Sequence, residues 1–227
     1  SERLPATMEL GAAALFVAIL LGVPLGVLSA VYQGSIFDNV VRVLAVVGNA
    51  IPIFWLGLMC IFFFGVYLGW LPTGGRQTVS LTNEFDLLDR LHHLILPTII
   101  LAFGNIAGMS RFMRTETLEV IRTDYIRTAK AKGLPGGQIW FIHAMRNAMV
   151  PLMTLLGPAV TGVLTGAVIT ETIFAWPGMG RLAFNAAIQR DYPTVLGTVM
   201  FFAVLTIVGN LLSDIFYGIV DPRVRLA

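Results

Sequence analysis

The sequence predicts an all-α, polytopic membrane protein, and three observations carry that prediction. Of 227 residues, 56% are hydrophobic and only 12% charged, against roughly 25% charged in an ordinary soluble domain; the mean hydropathy is +0.81. Five apolar runs are long enough to cross a hydrocarbon core about 30 Å thick, which takes about 20 residues of helix. Charge is gathered into one central segment instead of being spread over a surface. The runs are too continuous for a β-barrel, whose strands alternate in short stretches of about ten residues.

The predicted spans are residues 10–31, 43–68, 94–110, 148–170 and 194–213. The first carries Gly22 and Gly26, a spacing that lets a neighbouring helix approach closely. Gly104 with Gly108, in the third, and Gly162 with Gly166, in the fourth, repeat that spacing. The second span holds Cys60, the single cysteine, which is read as a packing residue. It also opens on "NAIPIF", where Asn49, Pro52 and Phe54 are candidates for a bend toward a translocation path. Pro24, Pro52, Pro97, Pro151 and Pro158 are expected to break or bend spans. No acid stands at the centre of a span, so the usual handle of a proton-coupled carrier is missing. Asp214, seven residues before Asp221, is read as an anchoring group near the inner interface.

Between the second and third spans, "NEFDLLDRLHHLILP" offers Asp86, Asp89, His92 and His93. Adjacent histidines point to different sides of a helix, and the spacing matches no strong ligand pattern. An amphipathic helix lying on the outer surface is predicted there, and no metal. The phosphate-cradling Gly-x-x-x-x-Gly-Lys-Ser/Thr loop is absent, as are HExxH, CxxC and GxSxG. The chain is therefore not expected to hydrolyse ATP or to be an enzyme. The opening "SERLPATMEL" lacks the basic region and apolar core of a signal peptide.

Orientation follows from the positive-inside rule. With the N-terminus outside, the inner segments 32–42, 111–147 and 221–227 hold ten of the 15 Lys and Arg residues. Segment 111–147 decides the matter. It carries ten charged residues between Arg111 and Arg146, each costing roughly 2.5–3.5 kcal/mol at mid-bilayer, so it lies outside the membrane. Within it, Glu119 to Lys132 reads as one helix, with a stripe of Ile121, Tyr125, Thr128 or Ala129, and Lys132. Gly133 stands where a left-handed cap belongs, and Pro135 forbids simple continuation. A second helix begins around Gly136 to Ile139, with a stripe of Ile139, Ile142, His143 and Arg146 beside Trp140 and Ala144. Two short helices joined by a Gly/Pro corner suit either an anionic lipid surface or a groove on another protein. Small residues at Thr128, Ala129, Ala131 and Gly133 argue for the groove.

At these residues the chain resembles a family. "DYIRTAKAKGL" followed by "HAMRNAMVP" is similar to the cytoplasmic coupling loop of ABC importer inner-membrane permeases of the dipeptide/oligopeptide/nickel type, the type I importer permease fold. "LPATMELGAAAL", "AIPIFWLGL", "ETIFAWPGMGRLAFNAAIQRDYP" and "DPRVR" resemble the same family, in the same order, from Leu4 to Arg225. The general importer loop begins Glu-Ala-Ala, where this chain has Arg127, Thr128 and Ala129; that departure fits the peptide/nickel branch. The resemblance also implies a preceding N-terminal span, which this sequence lacks. It implies docking on an ATPase through Tyr125, Arg127, Thr128, Ala129, Lys130, Ala131, Lys132 and Gly133. It further implies a second permease subunit, two ABC ATPase subunits that use the ATP, an extracytoplasmic solute-binding protein, and a place in the bacterial inner membrane amid lipid. No cofactor is expected on the chain itself, and no nucleic acid. Peptide is the implied solute, with nickel or another small solute as the alternative. A membrane scaffold or receptor with a partner-binding loop, and an ion-driven carrier, are the rival classes.

Overall fold

In the computed structural model, residues 3–78, 86–152 and 167–220 are described, the last nine of these by backbone alone. All regular structure among the described residues is helical. Helix α1 spans Arg3–Val31, α2 Ile36–Ala50 and α3 Ile53–Cys60, which runs into a π-helical turn, Ile61–Tyr67. Helix α4 is Leu87–Ile121 and α5 is Asp124–Ala131. Helix α6, residues 136–148, joins Gly136–Gln138, a π-helical turn Ile139–Ala144, and Met145–Ala148. Helix α7 covers residues 167–173, α8 Met179–Ile188 and α9 Tyr192–Val220.

Among the described residues, three helices are long and apolar enough to cross a membrane: α1, α4 and residues 192–211 of α9. Helix α2 and the α3 stretch pass the same test of length and composition only when taken together, which makes four spans at most among the described residues. Most of the fourth predicted span, including Pro158, Gly162 and Gly166, lies outside the described residues.

The helices divide into two compact units. One comprises residues 1–17, 51–103 and 160–207. Its core is Leu96, Ile100 and Phe174, with Ile53, Leu56, Ile61, Phe64, Leu71 and Ile173 packed around them. The other comprises residues 18–50, 104–159 and 208–227. There Val23, Val27, Met113, Ala148 and Leu152 form a core. Glycine sets its spacing: a methyl group on Gly26 would sit 2.5 Å from Ser110 O, and one on Gly22 would lie 2.9 Å from Met109 Cβ. Lipid tails are as apolar as leucine, so close contact contributes more than burial to holding such helices together.

Several predicted boundaries move. The third span does not stop at residue 110: α4 continues to Ile121, and it begins at Leu87. The stretch expected to lie on the outer surface is therefore the start of α4 itself. Pro24 and Pro97 lie inside continuous helices, since a transmembrane helix tolerates one lost bond when neighbours satisfy it. Pro52 does break its span, standing extended with ψ 127 at the N-cap of α3.

Candidate functional site

The central segment folds as a helical hairpin. Helix α4 ends when the amides of Arg122 and Thr123 turn back onto Glu119 O and Val120 O, at 3.2 and 3.1 Å. The Thr123 hydroxyl also donates to Val120 O, at 2.6 Å. Thr123 is extended, with ψ 154, and starts α5. The single helix expected from Glu119 to Lys132 is thus two. Asp124 in the first turn of α5 complements the helix dipole, and the exposed Arg127 Nη1 lies 3.2 Å from its carboxylate.

Gly133 closes α5 with φ 72. The Leu134 amide reaches Ala129 O at 3.4 Å and the Gly133 amide reaches Lys130 O at 3.0 Å. That pair of bonds is a Schellman cap, completed by Leu134 packing beside Ala129. A side chain at Gly133 would meet nothing within 4 Å, so strain in the left-handed backbone alone selects glycine. Pro135 then starts α6.

Ile126, Ala129, Ile139 and Ala144 form the hairpin's own core, with Val120, Leu134 and Trp140 against it. Lys130 Nζ sits 5.0 Å above the Trp140 ring. The buried stripe on α5 keeps Ala129 from the predicted one but takes Ile126 in place of Tyr125, which is 42% exposed. On α6 the π-turn places Ile139 and Ala144, five apart, on one side and leaves Ile142 exposed, because a π-helix closes i to i+5. Beyond the turn, Met145, Ala148, Met149 and Leu152 join the core formed with α1 and α4.

Of the eight predicted docking residues, Tyr125, Arg127, Thr128, Lys130, Ala131, Lys132 and Gly133 are exposed on one short element. Ala129 is turned inward, 8% exposed, and belongs to the hairpin core. Asn49, Pro52 and Phe54 are all exposed on the isolated chain. Asn49 spends its amide on Ala45 O of its own helix, at 2.8 Å.

Three polar clusters were not foreseen. Asp38, fully buried, accepts from Arg114 through both guanidinium Nε and Nη2, at 2.7 and 2.9 Å, and from Ser29 Oγ at 2.5 Å and the Gly34 amide at 3.0 Å. In the other unit, Glu9 binds Arg76 and Arg90 together, each through two nitrogens at 2.6–3.0 Å. Buried Glu171 accepts from Thr7 Oγ1 at 2.7 Å and from the Arg181 amide at 2.9 Å, while Thr7 Oγ1 accepts from the Met179 amide at 2.8 Å. The N-terminus of α8 thus docks on a carboxylate and a hydroxyl, the partners its unpaired amides favour. Trp176, also buried, donates its indole N–H to Ala6 O at 2.8 Å. A methyl on Gly178 would overlap the Glu171 carboxylate, and one on Gly180 would lie 2.8 Å from Val168 Cα. The only sequence signal for these groups was a lone acid beside an apolar run, which implies a partner without naming it.

His92 donates through Nε2 to Trp70 O, and His93 Nδ1 bonds Asp89 O of its own helix, both at 2.9 Å. In the connection to α9, two hydrogen bonds from Thr194 hold the Asp191 carboxyl below the usual carboxylate range.

Residues 22–226 match the family described as binding-protein-dependent transport system inner membrane component. The chain is 45% identical over 223 residues to the oligopeptide transport system permease protein AppB of Bacillus subtilis, covering 98% of this chain and 70% of that protein. Identity is 42% over 237 residues to the di/tripeptide transport system permease protein DppB of Pseudomonas aeruginosa, covering 97% and 70%. It is 42% over 242 residues to the dipeptide transport system permease protein DppB of Escherichia coli, covering 98% and 71%. Among solved structures, a chain of the MetNI methionine ABC transporter in an inward-facing conformation superposes with a TM-score of 0.77 at 18% identity, over 97% of this chain and 95% of that one. At that identity the likeness speaks for the fold.

Proposed function

The chain belongs to the family of binding-protein-dependent transport system inner membrane components, and on that premise we propose that it moves di- and oligopeptides inward, driven by ATP hydrolysed on separate subunits. The observation that carries the mechanism is the hairpin of α5 and α6. Its outer face offers short, basic and backbone-rich chemistry, and its inner face is continuous with the core that contains α1 and α4. A push on the exposed face of α5 cannot be absorbed locally, because Ile126, Ala129, Ile139 and Ala144 lock the two helices together. It passes through Met145 to Leu152 into the spans.

In this reading the hairpin is cytoplasmic and sits in a cleft of an ATPase subunit. The chain contributes no catalytic group and binds no cofactor. A second permease subunit completes the path, and a solute-binding protein delivers peptide from outside. Asn49, Pro52 and Phe54, exposed where the second span breaks, face that path. Peptide as the solute is supported by the relatives, whose names specify oligopeptides, di/tripeptides and dipeptides.

The test is the assembled importer in liposomes, with the natural loop and with Gly133→Val. A β-branched side chain at φ 72 costs about 1–2 kcal/mol of backbone strain, enough to displace the cap without unfolding the spans. Assembly should persist while peptide-stimulated ATP hydrolysis and peptide uptake both fall at least about tenfold. Unchanged stimulation and uptake in the assembled variant would remove Gly133 and its face from the coupling role. Uptake that fails to respond to di- or tripeptides but does respond to nickel would reassign the solute and leave the coupling intact.

A further inference from the structure

A groove of about 160 Å³ opens between α2 and α4, lined by Val41, Arg42, Ala45, Val46, Ser110, Arg111, Arg114 and Thr115. Three of its linings are guanidiniums and none is an acid. Asp38, behind Arg114, engages that arginine through both of its oxygens, so one of the three charges is neutralised. Arg42 lies 3.7 Å from the same carboxylate, half exposed, and donates to Asn39 Oδ1. Arg111 is exposed and has no acidic partner within 4 Å among the described residues. Next to the groove, α2 turns Val40, Val43, Leu44, Val46 and Val47 outward.

We propose that this groove holds the phosphodiester headgroup of an anionic phospholipid, with Arg42 and Arg111 as its ligands and the apolar face of α2 along its acyl chains. Charge complementarity chooses the occupant. Guanidinium forks match phosphate oxygens in pairs, and a basic pocket between transmembrane helices is a headgroup site by its chemistry. At about 160 Å³ the groove is smaller than the roughly 300–1,000 Å³ of a pocket that encloses a drug-sized ligand, which suits one phosphodiester and not a peptide. Long arginine stems can also lie along apolar side chains while their heads stay at the interface. The Asp38–Arg114 pair holds α2 against α4, so the groove exists before a lipid arrives. The inference rests on the chain's place in a membrane and is independent of the coupling assigned to the α5–α6 hairpin.

The experiment is native mass spectrometry of the purified importer complex in detergent. Dioctanoyl phosphatidylglycerol, dioctanoyl phosphatidylcholine and inorganic phosphate serve as separate probes. Phosphatidylglycerol should be retained about tenfold better than phosphatidylcholine. The double variant Arg42→Gln, Arg111→Gln should lose that preference, whereas Arg146→Gln with Arg190→Gln, which removes the same charge elsewhere, should keep it. Phosphate added at the same concentration should leave the bound lipid in place. Equal retention of the two lipids, or undiminished phosphatidylglycerol on the groove variant, overturns the proposal. Phosphate binding without lipid binding overturns it in favour of a free anion. Loss of the second permease subunit from the groove variant overturns it in favour of a subunit contact.

Discussion

Gly178 and Glu171 show how much rests on single side chains in this chain. The carboxylate is buried, and its hydrogen bonds come from Thr7 and from the start of α8. Gly178 leaves the space it occupies. Gly178→Ala must therefore push the carboxylate off its partners, at about 1–3 kcal/mol for each polar group left unpaired. Glu171→Ala loses the same bonds but empties the space the new methyl needs. The two losses should then be strongly non-additive, with a coupling of about 1–3 kcal/mol in a double-mutant cycle. Thermal melting of the purified protein in detergent measures it; additive losses would mean the two residues act separately. None of this was legible in the sequence. Thr7 and Glu171 lie 164 positions apart, and no local pattern links a threonine just before the first predicted span to an acid just after the fourth. Gly133 was legible, because its requirement is local: a basic helix, a glycine, and a proline two residues on.

At the scale of elements, apolar runs announced the spans, and the helices through α1, α4 and α9 follow them. Their ends were harder to place. The polar turns at both ends of α4 are helical because they continue an established helix, and hydropathy falls off before the hydrogen bonding does. The break at Thr123 depends on a side-chain bond to Val120 O, and the π-turn at Ile139–Ala144 shifts the register of α6 without any signature residue. The hairpin core that results can be probed at Ile139, 3% exposed. Ile139→Ala should weaken the hairpin by about 2–4 kcal/mol. Hydrogen exchange should then accelerate in residues 124–144 and not in α1, and stimulated ATP hydrolysis should fall with it. Faster exchange with full stimulation would mean that the hairpin need not be rigid to transmit force.

For the whole molecule, topology has a simple handle. Cys60 is the single cysteine, so Cys60→Ala gives a background in which one introduced thiol reports its side of the membrane. With the N-terminus outside, Tyr125→Cys should react with a membrane-impermeant maleimide only in inverted vesicles, and Ile188→Cys, exposed on α8, only in intact cells. The reverse pattern would invert the positive-inside assignment and place the α5–α6 hairpin out of reach of ATP. The many outward apolar residues of α9, among them Leu196, Met200 and Ile207, need no such test to be understood. On a chain that lives in lipid, they are what the solvent demands.

The docking of Glu171 against Gly178 has a further consequence, for heredity. A larger residue at 178 is harmful while the acid remains, and a lost acid is harmful while Thr7 and the start of α8 still await it. Neither position can drift alone without passing through a weakened protein. Across descendants of this sequence, positions 7, 171 and 178 should therefore change together or not at all, although Thr7 stands 164 positions before Glu171.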